Sequence, residues 1–463
     1  MNNFANTIAA ISTPPGKGGV AIIRISGEDA LKIASEIFKP TAKKSFDEAT
    51  PRMQVRGNIY YRGELVDDGM ATYFKAPASY TGEDTVEIYC HGGMLVTKTV
   101  LEAALFAGAA PATAGEFTRR AFINGKLSLT EAEAIGNLLE AESHEQIKLA
   151  SVSSRQILSD KILEIREALT SLLSSIYARI DYPDEDLGDF TDGEAIEILK
   201  SVSEKIKKLL STYETGRAIA EGVKTVICGK TNVGKSSVYH MLLGREAAIV
   251  TDIEGTTRDV LSEKISLGRV ILNLSDTAGV REKTGDLVEK IGIERSLDKI
   301  SESELIIAVF DTSREFDKED ERLISDIKKN AAPKIALLNK SDLEKTFDTG
   351  KISGVFDEVI DMSAKVGQIE ALEALSRTVD RLFTDERIIT GSDAIIASAR
   401  QKSALTSALD FVTEAIGSFE VGLSQDIASS DIEKALGRIA ELDGRAVSEE
   451  IVADIFSKFC VGK

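Results

Sequence analysis

A chain of 463 residues, 43% of them hydrophobic, can bury more than one core, and at about 100 to 200 residues per domain it is expected to hold three. A net charge of −19 argues against a surface that coats nucleic acid unaided, because phosphate contact needs clustered Lys and Arg; any RNA role requires a local basic patch or a partner's surface. Cys90, Cys228 and Cys460, with His91, His144 and His240, are too few and scattered for a disulfide framework or a Cys/His zinc cage. No apolar run reaches the ~18 residues of a membrane span, and Met1–Ala10 lacks the basic start of a signal peptide, so a reduced, cytoplasmic protein without membrane contact is expected.

In chain order, residues 1–120 mix short alternating runs, such as Gly57–Tyr61 and Thr85–Cys90, with Gly and Pro turns, the pattern of an α+β domain. Within it, Pro14-Pro15-Gly16-Lys17-Gly18-Gly19 reads as a hairpin turn, since no Gly-Lys-Ser closes it into a phosphate loop. Residues 121–217 are helical. Leu158, Ile162, Ile165, Leu169, Leu172 and Ile176 recur at steps of three and four, one buried face of a long helix that stops near Pro183. An α/β pattern occupies 218–382, and helical character returns over 383–463, clearest from Ser392 to Phe459. The expected fold class is therefore multidomain α/β, with an α/β domain inserted into a discontinuous α-helical bundle and able to rotate on two linkers.

The inserted segment carries the chemistry. Gly229-Lys230-Thr231-Asn232-Val233-Gly234-Lys235-Ser236 lies between the strand-like Val223–Cys228 and the helix-like Ser237–Leu243, the context of a loop that wraps backbone amides around phosphates. Lys235 would reach the β and γ phosphates and Ser236 would ligate Mg²⁺. Asp276-Thr277-Ala278-Gly279 follows the run Val270–Leu274, at a strand's C-terminal edge where open α/β sheets bind ligands. Asn339-Lys340-Ser341-Asp342 ends the strand Lys334–Leu338; an amide with a carboxylate there suits guanine, which offers a ring N–H and an exocyclic amine. Ser363-Ala364-Lys365 would cover the base. Thr251-Asp252-Ile253-Glu254-Gly255-Thr256-Thr257-Arg258-Asp259 lies where a nucleotide-sensing switch belongs, with Thr257 the second candidate Mg²⁺ ligand.

Together these motifs resemble the translation-factor class of GTPases, and within it the potassium-dependent TrmE-Era-EngA-like group. Val280 stands where Ras-type proteins place a water-orienting glutamine, and Asn232 can face a monovalent cation placed where an arginine finger would put charge; Arg258 and Arg281 remain rival fingers. Over its whole length the chain is similar to the MnmE (TrmE) family of tRNA modification GTPases. The likeness rests on Thr7–Gly27, on Tyr80–Glu87 with His91-Gly92-Gly93, on Gly115–Phe122 with Asn124-Gly125-Lys126, and on the terminal Phe459-Cys460-Val461-Gly462-Lys463.

That resemblance implies a P-loop Ras-like GTPase domain inserted into the helical bundle, behind an N-terminal folate-binding and dimerisation domain. It implies GTP contacts from Asn232, Val233, Gly234, Lys235, Ser236 and Ser237, through the switch residues 251–257 and Asp276–Gly279, to Asn339, Lys340, Asp342, Ser363, Ala364 and Lys365. K⁺ would be held by Asn232, Thr251, Ile253 and Thr256, and Glu289 would be the catalytic carboxylate that orients water, acting with Lys235. Arg24, Glu87, Lys126 and Lys463 would hold a 5-formyltetrahydrofolate-type one-carbon donor. Cys460 is either a reactive thiol beside that pocket or a small apolar side chain. The expected reaction is modification of carbon 5 of the wobble uridine in certain tRNAs, by a homodimer working with the flavin-dependent MnmG, which supplies the redox chemistry and much of the tRNA contact. A ribosome-assembly switch would carry a basic RNA-binding module after the GTPase segment, and none is visible. A mechanical GTPase would leave residues 1–120 without a purpose.

Overall fold

The computed structural model describes residues 6–42, 45–181, 191–244, 263–275 and 299–462. They form two compact units, residues 1–136 with 437–463, and residues 137–436.

The first unit is built on strands β1 (Ile8–Ile11), β2 (Ala21–Ser26), β3 (Phe38–Pro40), β4 (Gln54–Tyr61), β5 (Glu64–Phe74), β6 (Thr85–Cys90) and β7 (Ala110–Pro111). They make one sheet in the order β3-β4-β5-β6-β2-β1-β7, antiparallel except for β1 and β7. Helices α1 (Ala30–Ile37) and α2 (Met94–Phe106) cover it, and Ile23, Ile25, Ile59, Val86 and Ile88 fill the layer between. The Pro14–Gly19 stretch is no tight turn. It belongs to a longer connection between β1 and β2, moored where Gly18 N–H donates to Gly92 O at 3.0 Å. Helices α3 (Glu116–Ile123) and α4 (Leu129–Leu139) follow.

The second unit begins with α5 (His144–Leu149), α6 (Val152–Asp181), α7 (Asp192–Ser211) and α8 (Tyr213–Ala220). The stripe from Leu158 to Ile176 is buried at every position, as its spacing predicts; α6 is described to Asp181, and Pro183 lies outside the described residues. The GTPase-like sheet uses β8 (Val223–Cys228), β9 (Glu263–Leu267), β10 (Val270–Leu274), β11 (Leu305–Asp311), β12 (Lys334–Asn339) and β13 (Glu358–Asp361). Their order, β13-β12-β11-β8-β10-β9, is parallel apart from β9. Helices α9 (Lys235–Leu243), α10 (Lys318–Ile327) and α11 (Gln368–Phe383) connect or flank these strands. The chain then re-enters the bundle as α12 (Ala399–Glu420) and α13 (Gln425–Asp443), with α7 packed against both α6 and α12. Helix α12 starts seven residues later than Ser392, because Ser398 and Gln401 form its capping box.

The segment leading out of the GTPase-like sheet is fastened rather than loose. In the β9–β10 turn, Arg269 N–H donates to Asp380 (2.8 Å), and its guanidinium donates to the carbonyls of Asp385 (3.3 Å) and Ile388 (2.8 Å) and to Thr390 Oγ1 (2.9 Å).

Helix α14 (Glu449–Ser457) returns to the first unit. The sequence pattern groups residues 121–136 and 437–463 with the helices, whereas packing joins them to the N-terminal sheet. One apolar cluster of Leu129, Ala132, Val452, Phe456 and Phe459, extended by Phe122 and Ile135, ties the two segments to each other; Asn124 donating to Thr81 O (2.7 Å), Ser12 Oγ donating to Gly462 O (3.0 Å) and the Ala114–Val461 bridge fasten them to the N-terminal domain. Among the described residues, no helix is long and apolar enough to cross a membrane.

Candidate functional site

Strand β8 ends at Cys228 and hands the chain to Gly229–Gly234, which caps α9. This loop bends through left-handed backbone at Gly229, Asn232 and Gly234. The amides at the start of α9 and its dipole favour an anion at this turn, and Ser236 stands exposed in the helix's first turn. Lys235 Nζ donates to Gly229 O (2.8 Å) and Lys230 O (2.5 Å), so its ammonium is held inside the loop. Burial pushes its pKa below the ordinary lysine value. A bound phosphate would reverse that effect by supplying opposite charge.

The loops that the sequence assigns to guanine converge on the same turn. The Asn339 side chain is 2% exposed and engaged at both ends. Its Nδ2 donates to Val233 O (2.8 Å) and its Oδ1 accepts from Ala364 N–H (3.0 Å). Asn339 therefore ties the phosphate loop to the Ser363-Ala364-Lys365 loop. A hydrogen bond from Ser363, then the nearby Lys365 and Lys340, hold the Asp342 carboxyl below its usual value. Ser363 Oγ also accepts from Lys365 N–H (3.2 Å), which shapes the loop that would cover the base. Lys340 Nζ reaches Asn232 O (3.2 Å) and Asp311 Oδ2 (2.5 Å).

Thr251, Asp252, Ile253, Glu254, Gly255, Thr256, Thr257, Asp276, Thr277, Ala278, Gly279, Glu289 and Lys463 lie outside the described residues, as do Arg258, Val280 and Arg281.

In the first unit, β2 and β6 place Arg24 opposite Glu87. Arg24 pairs with Glu87 Oε1 (Nη2 at 2.9 Å, Nε at 3.0 Å) and its guanidinium lies 5.5 Å from the ring centres of both Tyr80 and Phe117. Among the described residues, its Nη1 makes one long bond, 3.4 Å, to Gly462 O. Tyr89 donates to the other Glu87 oxygen at 2.7 Å; burial and that carboxylate push its hydroxyl up to about 12. Lys126 is exposed. It donates to Pro77 O (3.1 Å), and its side chain runs beside Gly82, in the loop that carries Tyr80. The C-terminal segment closes this region through the Ala114–Val461 bridge, and Ser12 Oγ donates to Gly462 O at 3.0 Å. Gly462 has φ +103°, and a Cβ there would collide with Ile11 O. Cys460 is exposed, whereas burial pushes Cys90 up to about 11 and Cys228 up to about 12, so only Cys460 keeps an accessible thiol.

Sequence reasoning gave no role to Tyr80, Phe117, Tyr89, Lys230 or Asp311. Lys230 pairs with Asp317 (2.7 Å) and the buried Asp320 (2.8 Å), which anchors the phosphate loop to the start of α10. Asp311 had a legible signal. It ends the wholly apolar run Leu305–Phe310, as Asn339 ends its own strand.

A parallel sheet with a phosphate-binding turn at its C-terminal edge and guanine-facing loops beside it defines a P-loop GTPase, here coupled to a helical bundle and an N-terminal α+β domain. Residues 129–460 match the model of the MnmE helical domain, and residues 7–126 match that of the GTP-binding protein TrmE N-terminus. The chain is 39% identical over 458 residues to a tRNA modification GTPase MnmE of Clostridioides difficile (strain 630), covering 99% of each. It is 40% identical over 461 residues to that of Thermotoga sp. (strain RQ2), covering 99% of this chain and 100% of the relative. A solved structure of Era with MgGDPNP and a segment of 16S ribosomal RNA shares 22% identity at a TM-score of 0.26, over 41% of this chain and 66% of that one. The chain belongs to the MnmE family of tRNA modification GTPases.

Proposed function

We propose that this chain uses GTP hydrolysis to drive addition of a carboxymethylaminomethyl-type group to carbon 5 of the wobble uridine (U34) of certain tRNAs. It does so as a cytoplasmic homodimer, in a heterooligomer with the flavin-dependent MnmG, which makes most of the tRNA contact. The observation that carries the reading is the pairing, in one chain, of a guanine-nucleotide loop set with a separate cluster in which Arg24 lies 5.5 Å from the ring centres of Tyr80 and Phe117 and pairs with Glu87. Arg24 Nη1, held among the described residues by one 3.4 Å bond, can turn to a ligand carboxylate together with Lys126 and Lys463. Glu87 accepts from pterin amino groups, so a 5-formyltetrahydrofolate-type donor fits the donor and acceptor set.

At the nucleotide site, Lys235 leaves the carbonyls of its own loop for the terminal phosphates, and Asp342 reads guanine. Ser236 and Thr257 are the ligands for Mg²⁺, which Asp276 would contact through water. Asn232, whose exposed side chain has no hydrogen-bond partner among the described residues, joins Thr251, Ile253 and Thr256 as ligands for K⁺. When bound, the two cations supply positive charge that offsets charge developing on the transferred phosphoryl group. Glu289 orients the attacking water in place of the glutamine that Val280 replaces.

The test combines the purified chain, the flavoprotein partner with NADH, GTP, formyltetrahydrofolate, glycine or an ammonium salt as the amine, and an unmodified tRNA transcript, followed by mass analysis of nucleosides. A mass gain at U34 that disappears without GTP, without the folate, or with Arg24→Ala is expected. Modification indifferent to the folate would overturn the donor assignment, and equal hydrolysis rates in Na⁺ and K⁺ would overturn the potassium assignment.

A further inference from the structure

We infer that Asp311 is a positioning residue for the potassium site, acting through Lys340 on the backbone of Asn232; this rests on the potassium reading proposed above. Asp311 ends a strand in which every residue is buried, and its side chain is 2% exposed. A carboxylate buried that deeply must be paired and hydrogen-bonded to persist as an anion. Four donors meet it. Ser313 N–H (3.0 Å) and Ser313 Oγ (2.6 Å) donate to Oδ1, while Lys340 Nζ (2.5 Å) and Arg314 Nε (3.3 Å) address Oδ2. The carboxylate is thus fixed from two sides and in turn fixes the Lys340 ammonium.

The other contact of that ammonium is Asn232 O, at 3.2 Å. Lys340 and Asn232 are two of only four non-glycine residues with left-handed backbone among the described residues, at φ +64° and +63°. Such backbone persists in a non-glycine residue only where its surroundings hold it. Asparagine adopts this backbone more readily than lysine does, and here the two residues meet through one ammonium, which the buried carboxylate keeps in place. Strand pairing does not need the Asp311 charge, because β11 and β12 are joined by their backbones. With no hydrogen bond of its own among the described residues, the Asn232 amide takes its direction from that backbone. A cation ligand set in this way loses affinity when the hold relaxes, without loss of the ligand itself.

The experiment uses Asp311→Asn in the full chain, which keeps the shape and removes the charge. K⁺ is titrated against GTP hydrolysis at saturating GTP and, independently of turnover, against the melting temperature of the form loaded with GDP and aluminium fluoride. The half-saturating K⁺ concentration is expected to rise about fivefold in both, the loss of one charge-assisted hydrogen bond to a neutral one, and excess K⁺ restores turnover towards the parent rate. Ser313→Ala removes one donor to the same carboxylate and shifts the K⁺ requirement the same way by less; it carries the test should Asp311→Asn not fold. An unchanged K⁺ requirement, with the rate lowered equally at every K⁺ concentration, is the signature of a merely structural role and would overturn the inference. A parent protein indifferent to K⁺ would be seen before any variant is made, and it overturns the potassium reading itself.

Discussion

Gly234→Ala probes how far nucleotide affinity depends on the shape of the phosphate loop. Gly234 has φ +102°, and an added Cβ would fall on Asn339 Nδ2, the atom that donates to Val233 O. Left-handed backbone costs a non-glycine residue about 1–3 kcal/mol. The displaced amide also forfeits two hydrogen bonds, to Val233 O and from Ala364 N–H, at about 1 kcal/mol each. The total, roughly 3–5 kcal/mol, corresponds to at least about a 100-fold loss of affinity at 1.4 kcal/mol per decade. Where that loss shows depends on the free loop. If it relaxes into another shape, binding must restore the original and affinity carries the loss; if it stays, the fold carries it. Titration with a fluorescent GDP analogue and urea unfolding should therefore be run together and their losses added. Gly354→Ala is the control, since Gly354 also has positive φ (+72°) but nothing lies within 4 Å of its added Cβ. It should cost about 1 kcal/mol of stability and leave GDP binding alone. A combined loss below about 1 kcal/mol for Gly234→Ala, or equal losses in the two variants, would refute the role given to the Asn339 bridge.

Three further outcomes are expected. Phe459→Ala, at a side chain 7% exposed in the cluster shared with α4, should destabilise the first unit by about 3–5 kcal/mol in denaturant unfolding; a loss under about 1 kcal/mol would mean the C-terminal segment is no part of that core. Arg269→Ala removes the side-chain bonds to Asp385, Ile388 and Thr390 and should speed amide hydrogen exchange over residues 385–390 by about tenfold or more; unchanged exchange would show that other contacts hold the segment. The hydrogen bond from His91 Nδ1 to Asp67 (2.7 Å), and then the Asp67 charge, raise the His91 pKa above 6.5. Because the folded state favours the protonated ring, that contribution is fully present below pH 6.5 and fades as pH rises through the folded value. An NMR titration should give a midpoint above 6.5 that falls back in Asp67→Asn, and a parent midpoint at or below 6.5 would contradict the pairing.

What the sequence made legible was whatever depended on neighbours along the chain. β8, β10 and β6 begin and end where their apolar runs do, and the Leu158–Ile176 stripe is buried because a 3.6-residue period has one face to hide. The phosphate loop was legible because glycine at fixed spacing has few other uses. What escaped depended on distant partners. The sequence suggests Asn339 for guanine, but not that its side chain also links Val233 and Ala364, from loops that sequence distance does not connect. Nothing in residues 384–398 announces that Arg269, more than a hundred positions earlier, strings that segment to the β9–β10 turn. Tyr80, in the loop before β6, and Phe117, in α3, became visible only when the fold brought both rings within 5.5 Å of Arg24.

Residues 437–463 finish a unit that residues 1–136 begin. A ribosome working at about 5–20 residues per second spends roughly 15–60 s on the intervening stretch of about 300 residues. Over that interval α4 lacks the packing of Phe459, and the N-terminal domain lacks the contacts supplied by Val461 and Gly462. A chain released before that point would carry the GTPase-like sheet without the contacts that Val461 and Gly462 bring to Ala114, Ser12 and Arg24.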